Sequence, residues 1–253
     1  MLEVVGQTDV GRRRKLNEDS ILMDNESNLY AVCDGMGGHN AGEVASQMAI
    51  EALASFIQKS HREKEITWPF GLDVNLSYDG NRLKTAIRFA NRKVLEATRE
   101  KTEYEGMATT VAAVLVDGSS ANLGHVGDSR VYLVRGGTIE QLTSDHSWVN
   151  EQIQSGVISA DQARSHPLRN VVTRALGGKP DLQVDMQVHK IEPGDILLLC
   201  SDGLTTMIPD DDIARIVTEA GGEVEKAARA LVAAANARGG EDNITVLLLR
   251  FDA

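Results

Sequence analysis

Four short apolar runs in the sequence meet an acid beside glycine or asparagine: Ala31-Val32-Cys33-Asp34-Gly35, His125-Val126-Gly127-Asp128, Leu199-Cys200-Ser201-Asp202-Gly203, and Gly239-Gly240-Glu241-Asp242-Asn243 leading into Ile244. One Asp-Gly after a strand is ordinarily a turn. Recurrence changes the reading, because short carboxylates on strand-end turns can meet at one sheet edge while the strands fix their positions. Converging acids repel unless a cation joins them, and oxygen ligands without His or Cys suit the hard ions Mg²⁺ and Mn²⁺. Two such ions roughly 3.5–4 Å apart would activate a water and hold a phosphoryl oxygen for in-line attack, which is phosphoester hydrolysis. Glycine after Asp34 keeps its backbone carbonyl approachable as a further ligand. A substrate phosphate also needs a positive partner, and Gly11-Arg12-Arg13-Arg14-Lys15-Leu16-Asn17-Glu18-Asp19 sets guanidinium forks next to two more acids.

The elements that must position these groups are strands in blocks separated by helices. Residues 21–23, 29–33, 109–116, 121–126, 131–134, 196–200 and 244–251 are apolar segments bounded by turn residues and read as strands, with hairpin turns at 116–121 and 135–138 and a meander of neighbouring strands between them. Helical spacing links Val44, Met48, Ala52 and Phe56, then Leu83, Ile87, Ala90 and Val94. Asp210 is placed to cap a helix through Ile213 and Val217, Val224, Ala227, Leu231 and Ala235 mark another, and Ser159-x-x-Gln162 has the form of a capping box. This order predicts an α+β fold with sheets inside and helices on their outer faces. Residues 60–80, with Trp68-Pro69-Phe70, and 147–182 lack long periodicity; the first reads as a packed loop and the second as a border of the site.

The chain has 253 residues, enough for one large domain spanning 1–253. A net charge of -11 argues against nucleic acid as a partner, and against a two-metal nuclease that would share these acids. No apolar run nears the roughly 20 residues of a membrane span, and the N-terminus has no signal-like pattern, so a cytoplasmic protein without membrane attachment is expected. Cys33 and Cys200 read as small buried thiols of a reduced protein.

The ordered motifs resemble those of the metal-dependent type 2C Ser/Thr protein phosphatases, in particular compact bacterial members. The resemblance rests on Arg14-x-x-Asn17-Glu18-Asp19, Asp34-Gly35-Met36-Gly37-Gly38-His39, Thr109-Thr110, Gly127-Asp128-Ser129-Arg130, Leu142-Thr143-Ser144-Asp145-His146-Ser147, Thr173-Arg174-Ala175-Leu176-Gly177, Ser201-Asp202-Gly203-Leu204 and Asp242-Asn243-Ile244-Thr245-Val246. It implies a four-layer α-β-β-α sandwich with two central, mainly antiparallel sheets, a metal cleft at one edge and a flap over about 147–182. It also implies Mn²⁺ or Mg²⁺ as cofactor, two ions with provision for a third. Asp34 would bridge the central pair, Gly35 would ligate through its carbonyl, and Asp202 and Asp242 would hold the first ion. Glu18 and Asp19 would act near the second through waters, Asp128 would serve a third, and Arg14 would bind the substrate phosphate. Phosphoserine and phosphothreonine proteins are the implied substrates and a Ser/Thr kinase the implied opponent, with the phosphatase acting as a monomer.

One position departs from eukaryotic relatives, which carry a histidine after the Asp-Gly pair as candidate acid for the leaving alcohol; here it is Met36. His39 is the nearest substitute, while His146 beside Asp145 is expected to be structural. A catalytically dead phosphatase-like binding domain is the rival from another class, and it would be signalled by loss of Asp34, Asp202 or Asp242, all of which are present.

Overall fold

The computed structural model describes residues 2–37, 41–62 and 68–252. In chain order the elements are β1 Leu2–Asp9, β2 Asp19–Asp24, β3 Leu29–Met36, α1 Ala41–Arg62, α2 Tyr78–Glu100, β4 Ala108–Thr109, β5 Val111–Asp117, β6 Ser120–Val126, β7 Arg130–Arg135 and β8 Thr138–Gln141. They continue with α3 Trp148–Gln154, α4 Ala160–Arg164, β9 Asp185–Lys190, β10 Ile196–Cys200, α5 Asp202–Thr205, α6 Asp210–Glu219, α7 Val224–Ala237 and β11 Ile244–Phe251. One sheet runs β1-β11-β10-β7-β8 and the other β2-β3-β5-β6-β9, with β4 paired to the end of β3. Every pairing among these strands is antiparallel.

The central strands read as unbroken apolar runs because both of their faces are covered. In β10, Leu197 and Leu199 meet the opposite sheet, whereas Ile196, Leu198 and Cys200 pack with Ile213 and Val217 of α6 and Leu231 and Ala235 of α7. In β3, Tyr30 and Val32 face the other sheet while Leu29, Ala31 and Cys33 lie under Leu53 and Ile57 of α1 and Leu83 and Ile87 of α2. Side chains alternate across each strand, so two sheets and two helix pairs stack as α-β-β-α. No helix among the described residues is long and apolar enough to cross a membrane.

Three strands escaped the sequence pattern, and all three are edges. β1 and β8 border one sheet and β9 borders the other, and their residues are mostly half-buried or exposed. An edge strand has a neighbour on one side only and tolerates polar residues such as those of Asp185-Met186-Gln187-Val188-His189-Lys190.

Two expectations need correction. The meander breaks at Gly127: β6 stays in one sheet and β7 pairs with β10 in the other. Gly127 has φ of 113°, and a Cβ there would lie 2.5 Å from Thr110 Cγ2, so glycine permits the crossing that carries Asp128 between the sheets. Asp210 does not cap α6 either; Pro209 is the capping residue, and the Asp210 carboxylate accepts the Tyr132 hydroxyl at 2.9 Å instead. The Ser159–Gln162 capping box is present with both of its bonds. From residue 68 onward, the 60–80 segment packs on α2, with Phe70 lying 5.6 Å from the guanidinium groups of Arg88 and Arg92.

Candidate metal centre

Both sheets bring acids to one edge of the sandwich. Asp19 opens β2 and pairs in register with Asp34 near the end of β3. The Asp34 backbone is held by Thr110, whose N–H donates to the Asp34 carbonyl at 2.9 Å and whose Oγ1 accepts the Asp34 N–H at 2.9 Å. Thr110 Oγ1 lies 2.6 Å from Ser129 Oγ, next to Asp128. From the opposite sheet, Asp202 follows β10 and Asp242 precedes β11. Ser201 joins the sheets at this edge: its hydroxyl donates to Asp19 Oδ2 at 2.7 Å and accepts the Thr245 N–H at 3.1 Å.

These carboxyls are part-exposed by area yet enclosed by protein on most sides, and they perturb one another. Burial, then the charges of Asp19, Asp202, Asp128 and Asp242, push Asp34 well above the carboxylate range. Burial, then Asp202 and Asp145, push Asp128 up to about 8. Burial raises Asp19 to about 7 against the opposing hydroxyls of Thr245 and Ser201, and Asp202 to about 6 with Asp242 adding to it. Asp34 opposes that rise in Asp202, as do the charges of Arg14 and Arg130. Asp19 Oδ1 is buried without a hydrogen-bond partner.

Arg14 stands at the mouth of this cluster, half-exposed. Its Nη2 donates to Asp242 Oδ2 at 2.7 Å and its Nη1 lies 3.9 Å from Glu18. Asp242, Glu18 and Asp34 favour its charge over the opposing cost of burial. Burial raises the pKa of Glu18, against the opposing charge of Arg14 and the backbone of Gly42 in the first turn of α1. The arginine-bearing loop is fixed by two devices. Gly240 O accepts the N–H groups of Arg12 and Arg13 at 2.7 and 3.2 Å. The Asn243 amide donates to Val10 O and Leu16 O, both at 2.9 Å, while its Oδ1 accepts the Glu18 N–H at 2.8 Å.

The structure thus gathers Arg14, Glu18, Asp19, Asp34, Gly35, Asp128, Asp202 and Asp242 at one edge. His39 lies outside the described residues. Asn243, Ser201, Thr110 and Ser129 lie within the sequence motifs with no chemistry of their own to mark them, yet they fix the acids in place. Their signal is that each is a polar residue next to a buried apolar strand, where its hydrogen-bonding groups must find partners. Cys33 and Cys200 are buried free thiols whose pKa values burial raises, Cys200 to about 12.

Gly35 carries a steric demand of its own. A Cβ there would lie 2.1 Å from Gly42 O and 2.6 Å from Glu18 O, both backbone atoms. Gly35→Ala is therefore expected to force β3 away from α1, lowering the thermal midpoint by about 5 °C or more, as overpacking costs of about 1–3 kcal/mol imply. An unchanged midpoint by calorimetry would show that the contact relaxes freely.

On the same edge, His125, His146 and Asp185 offer ligand-type atoms within 4.8 Å of one another. Their chemistry differs from that of the acid cluster. His146 Nδ1 accepts the Gly127 N–H at 3.1 Å, so its ring proton sits on Nε2, and the Arg174 guanidinium lies 3.2 Å from that nitrogen. The Nε2 proton is donated to Asp185, and Arg174, which has no acceptor to offer that proton, meets the same carboxylate. With Nδ1 already accepting from Gly127, this tautomer of His146 has no lone pair left for a metal.

Comparison with known proteins adds the following. The family model of protein phosphatase 2C matches residues 8–238. The serine/threonine phosphatase stp of Listeria welshimeri is 38% identical over 250 residues, covering 96% of this chain and 93% of its own. The solved serine/threonine phosphatase of S. agalactiae superposes with a TM-score of 0.86 at 38% identity, covering 100% of both chains. The catalytic domain of serine threonine protein phosphatase PstP, solved in complex with two manganese ions, superposes with a TM-score of 0.84 at 34% identity, covering 100% of this chain and 99% of that one.

Proposed function

The chain belongs to the protein phosphatase 2C family and is a metal-dependent serine/threonine phosphatase, and from this premise we propose how its own residues divide the work. One observation carries the proposal: Asp34 stands in register with Asp19 and is raised by Asp19, Asp202, Asp128 and Asp242, acids brought in by both sheets. It is the residue on which both halves of the centre converge.

The donor set fits Mn²⁺ or Mg²⁺. It consists of oxygens only, its carboxyls are raised by burial and mutual repulsion, and Asp19 Oδ1 is a buried acceptor in need of a partner. Asp34 would bridge two ions, Gly35 would add its carbonyl, Asp202 and Asp242 would complete the first site, and Glu18 and Asp19 would support the second through waters. Asp128, with Asp202, would hold a third. When bound, the ions acidify water and draw charge from a phosphoryl oxygen. The chain contributes the rest: Ser201 ties Asp19 across the sheets, Thr110 holds the backbone of Asp34, and Asn243 fixes the arginine loop.

Arg14 keeps guanidinium N–H groups free of Asp242 and would use them on the phosphate. Arg14→Ala is expected to lower kcat/KM on a phosphothreonine peptide about 10–100-fold, the worth of one charge-assisted hydrogen bond. Arg14→Lys should recover only part, since a point charge lacks the fork. Equal values for wild type and Arg14→Ala would remove Arg14 from substrate binding.

The activity is tested by phosphate release from phosphoserine and phosphothreonine peptides with added Mn²⁺. Release is expected to stop with excess EDTA; release that persists in EDTA would refute a metal-dependent route. Phosphoproteins are the substrates of such an enzyme. We extend the proposal to a cytoplasmic monomer opposing a Ser/Thr kinase, with residues 1–253 as one domain and 147–182 as its flap. The free buried thiols suit a reducing setting, and the pairing of β1 with β11 suits one unit.

A further inference from the structure

The flap leaves and rejoins the body through two adjacent stems. On the way out, the His146 N–H donates to Gly127 O at 2.7 Å; on the way back, the Thr173 N–H donates to His146 O at 2.8 Å, and Ser147 bridges Val172. One side chain from each stem then turns to the same carboxylate. His146 Nε2 lies 3.1 Å from Asp185 Oδ2, and Arg174 Nη1 lies 3.1 Å from Asp185 Oδ1. Asp185 opens β9 and is held in register with His125 of β6.

The surroundings make this a directed contact. The Gly127 N–H fixes the His146 ring so that its Nε2 proton points at Asp185. Beneath that ring lies His125, at 4.6 Å between centroids, with neither ring nitrogen hydrogen-bonded; burial lowers its pKa to about 4, so it is a neutral floor. Within the flap, Trp148 of α3 stacks on His166 beyond α4 at 4.7 Å, which ties the two helical pieces together. Whatever holds the stems therefore holds the flap as a piece. Asp185 and Arg174 are both part-exposed, at 45% and 38%, and an ion pair so close to water can open readily.

We propose that Asp185 is the latch of the flap: by joining His146 on one stem to Arg174 on the other, it sets where 147–182 stands beside the cleft and governs entry of protein substrates without entering the chemistry. Asp185 and Arg174 are positioning residues in this scheme. The inference rests on the reading of 147–182 as the flap of a phosphatase, and its test separates the two.

Asp185→Ala and Arg174→Gln are compared with wild type in two measurements. In the first, kcat/KM is measured with Mn²⁺ on a phosphothreonine-bearing protein and on p-nitrophenyl phosphate. Both variants are expected to shift the protein substrate about fivefold, mainly through KM, with the small ester within about twofold, the range open to a part-exposed ion pair. In the second, trypsin cleavage after the exposed Arg164 and Arg169 is timed under native conditions. Both variants should be cut about fivefold faster there, and the double variant no faster than either, because a latch once open cannot be opened again. Equal effects on both substrates, or wild-type cleavage rates in Arg174→Gln, would overturn the latch. If wild type hydrolyses neither substrate, the phosphatase reading fails while the trypsin comparison still decides the latch.

Discussion

Asp34→Ala protein is expected to fold, and to release phosphate from a phosphothreonine peptide at least about a thousandfold more slowly than wild type, at any Mn²⁺ concentration that saturates the latter. The magnitude follows from position. Asp34 is pressed by Asp19 in its own sheet and by Asp202, Asp128 and Asp242 beyond it, so its loss undoes the arrangement of both halves. Folding should survive because the strand beneath is secured elsewhere: Tyr30 and Val32 pack between the sheets, and Thr110 holds the Asp34 backbone, not its side chain. Asp242→Asn keeps the size of the side chain but removes the charge and one of the two acceptors that serve Arg14 and the Asn243 N–H, and should cost nearly as much. Asp128→Ala should cost least of the three, since Asp128 sits on the crossing between sheets, with Asp202 and Asp145 as its charged neighbours. Steady-state kinetics on the three variants, with circular dichroism to confirm folding, ranks them. Wild-type turnover by Asp34→Ala would sink the assignment.

Removal of metal should reverse the usual pH dependence of a carboxylate-rich protein. Asp202, Asp19 and Asp128 are raised to about 6, 7 and 8 from an ordinary value of 3.8, so the folded state binds their protons more tightly than the unfolded chain does. The stability that this proton binding supplies is complete below the ordinary value and is lost as pH rises through 6, 7 and 8. In EDTA, the thermal midpoint is therefore expected to fall steadily between about pH 5.5 and 8.5. Mn²⁺ should compensate where the protons have gone. At a hundredfold excess over its dissociation constant it should raise the midpoint by about 5–10 °C at the alkaline end and much less at the acidic end. Differential scanning calorimetry with and without EDTA measures both slopes. A chelated protein that gains stability from pH 6 to 8 would contradict the picture of acids forced together.

The strands that carry the acids were legible because their burial on both faces leaves a long apolar signature, as Ile196 to Cys200 shows. The edge strands β1, β8 and β9 were not, because a strand such as β9, with Asp185, Gln187 and Lys190, is as polar as a loop. Sheet membership was equally hidden. The sequence around Gly127 announces a turn, but whether the chain folds back beside β6 or crosses to β10 depends on partners far away in sequence. The acids themselves were legible as a repeated pattern beside glycine. Their supports were not: Ser201, Thr110 and Asn243 act through bonds to residues 182, 76 and 225 positions away, and no local spacing encodes such reach.

β11 occupies an inner place in its sheet, between β1 and β10, although it follows every other element in the chain. During synthesis, β1 therefore waits without a hydrogen-bonded partner until β11 emerges from the ribosome, and the edge of β10 away from β7 stays open for as long. Asp242 and Asn243 arrive with that same strand, one carrying charge into the cleft and the other fastening the arginine loop. A nascent chain thus has neither a finished sheet nor a finished centre, and truncation before Asp242 leaves an aggregation-prone fragment that cannot act on any phosphoprotein.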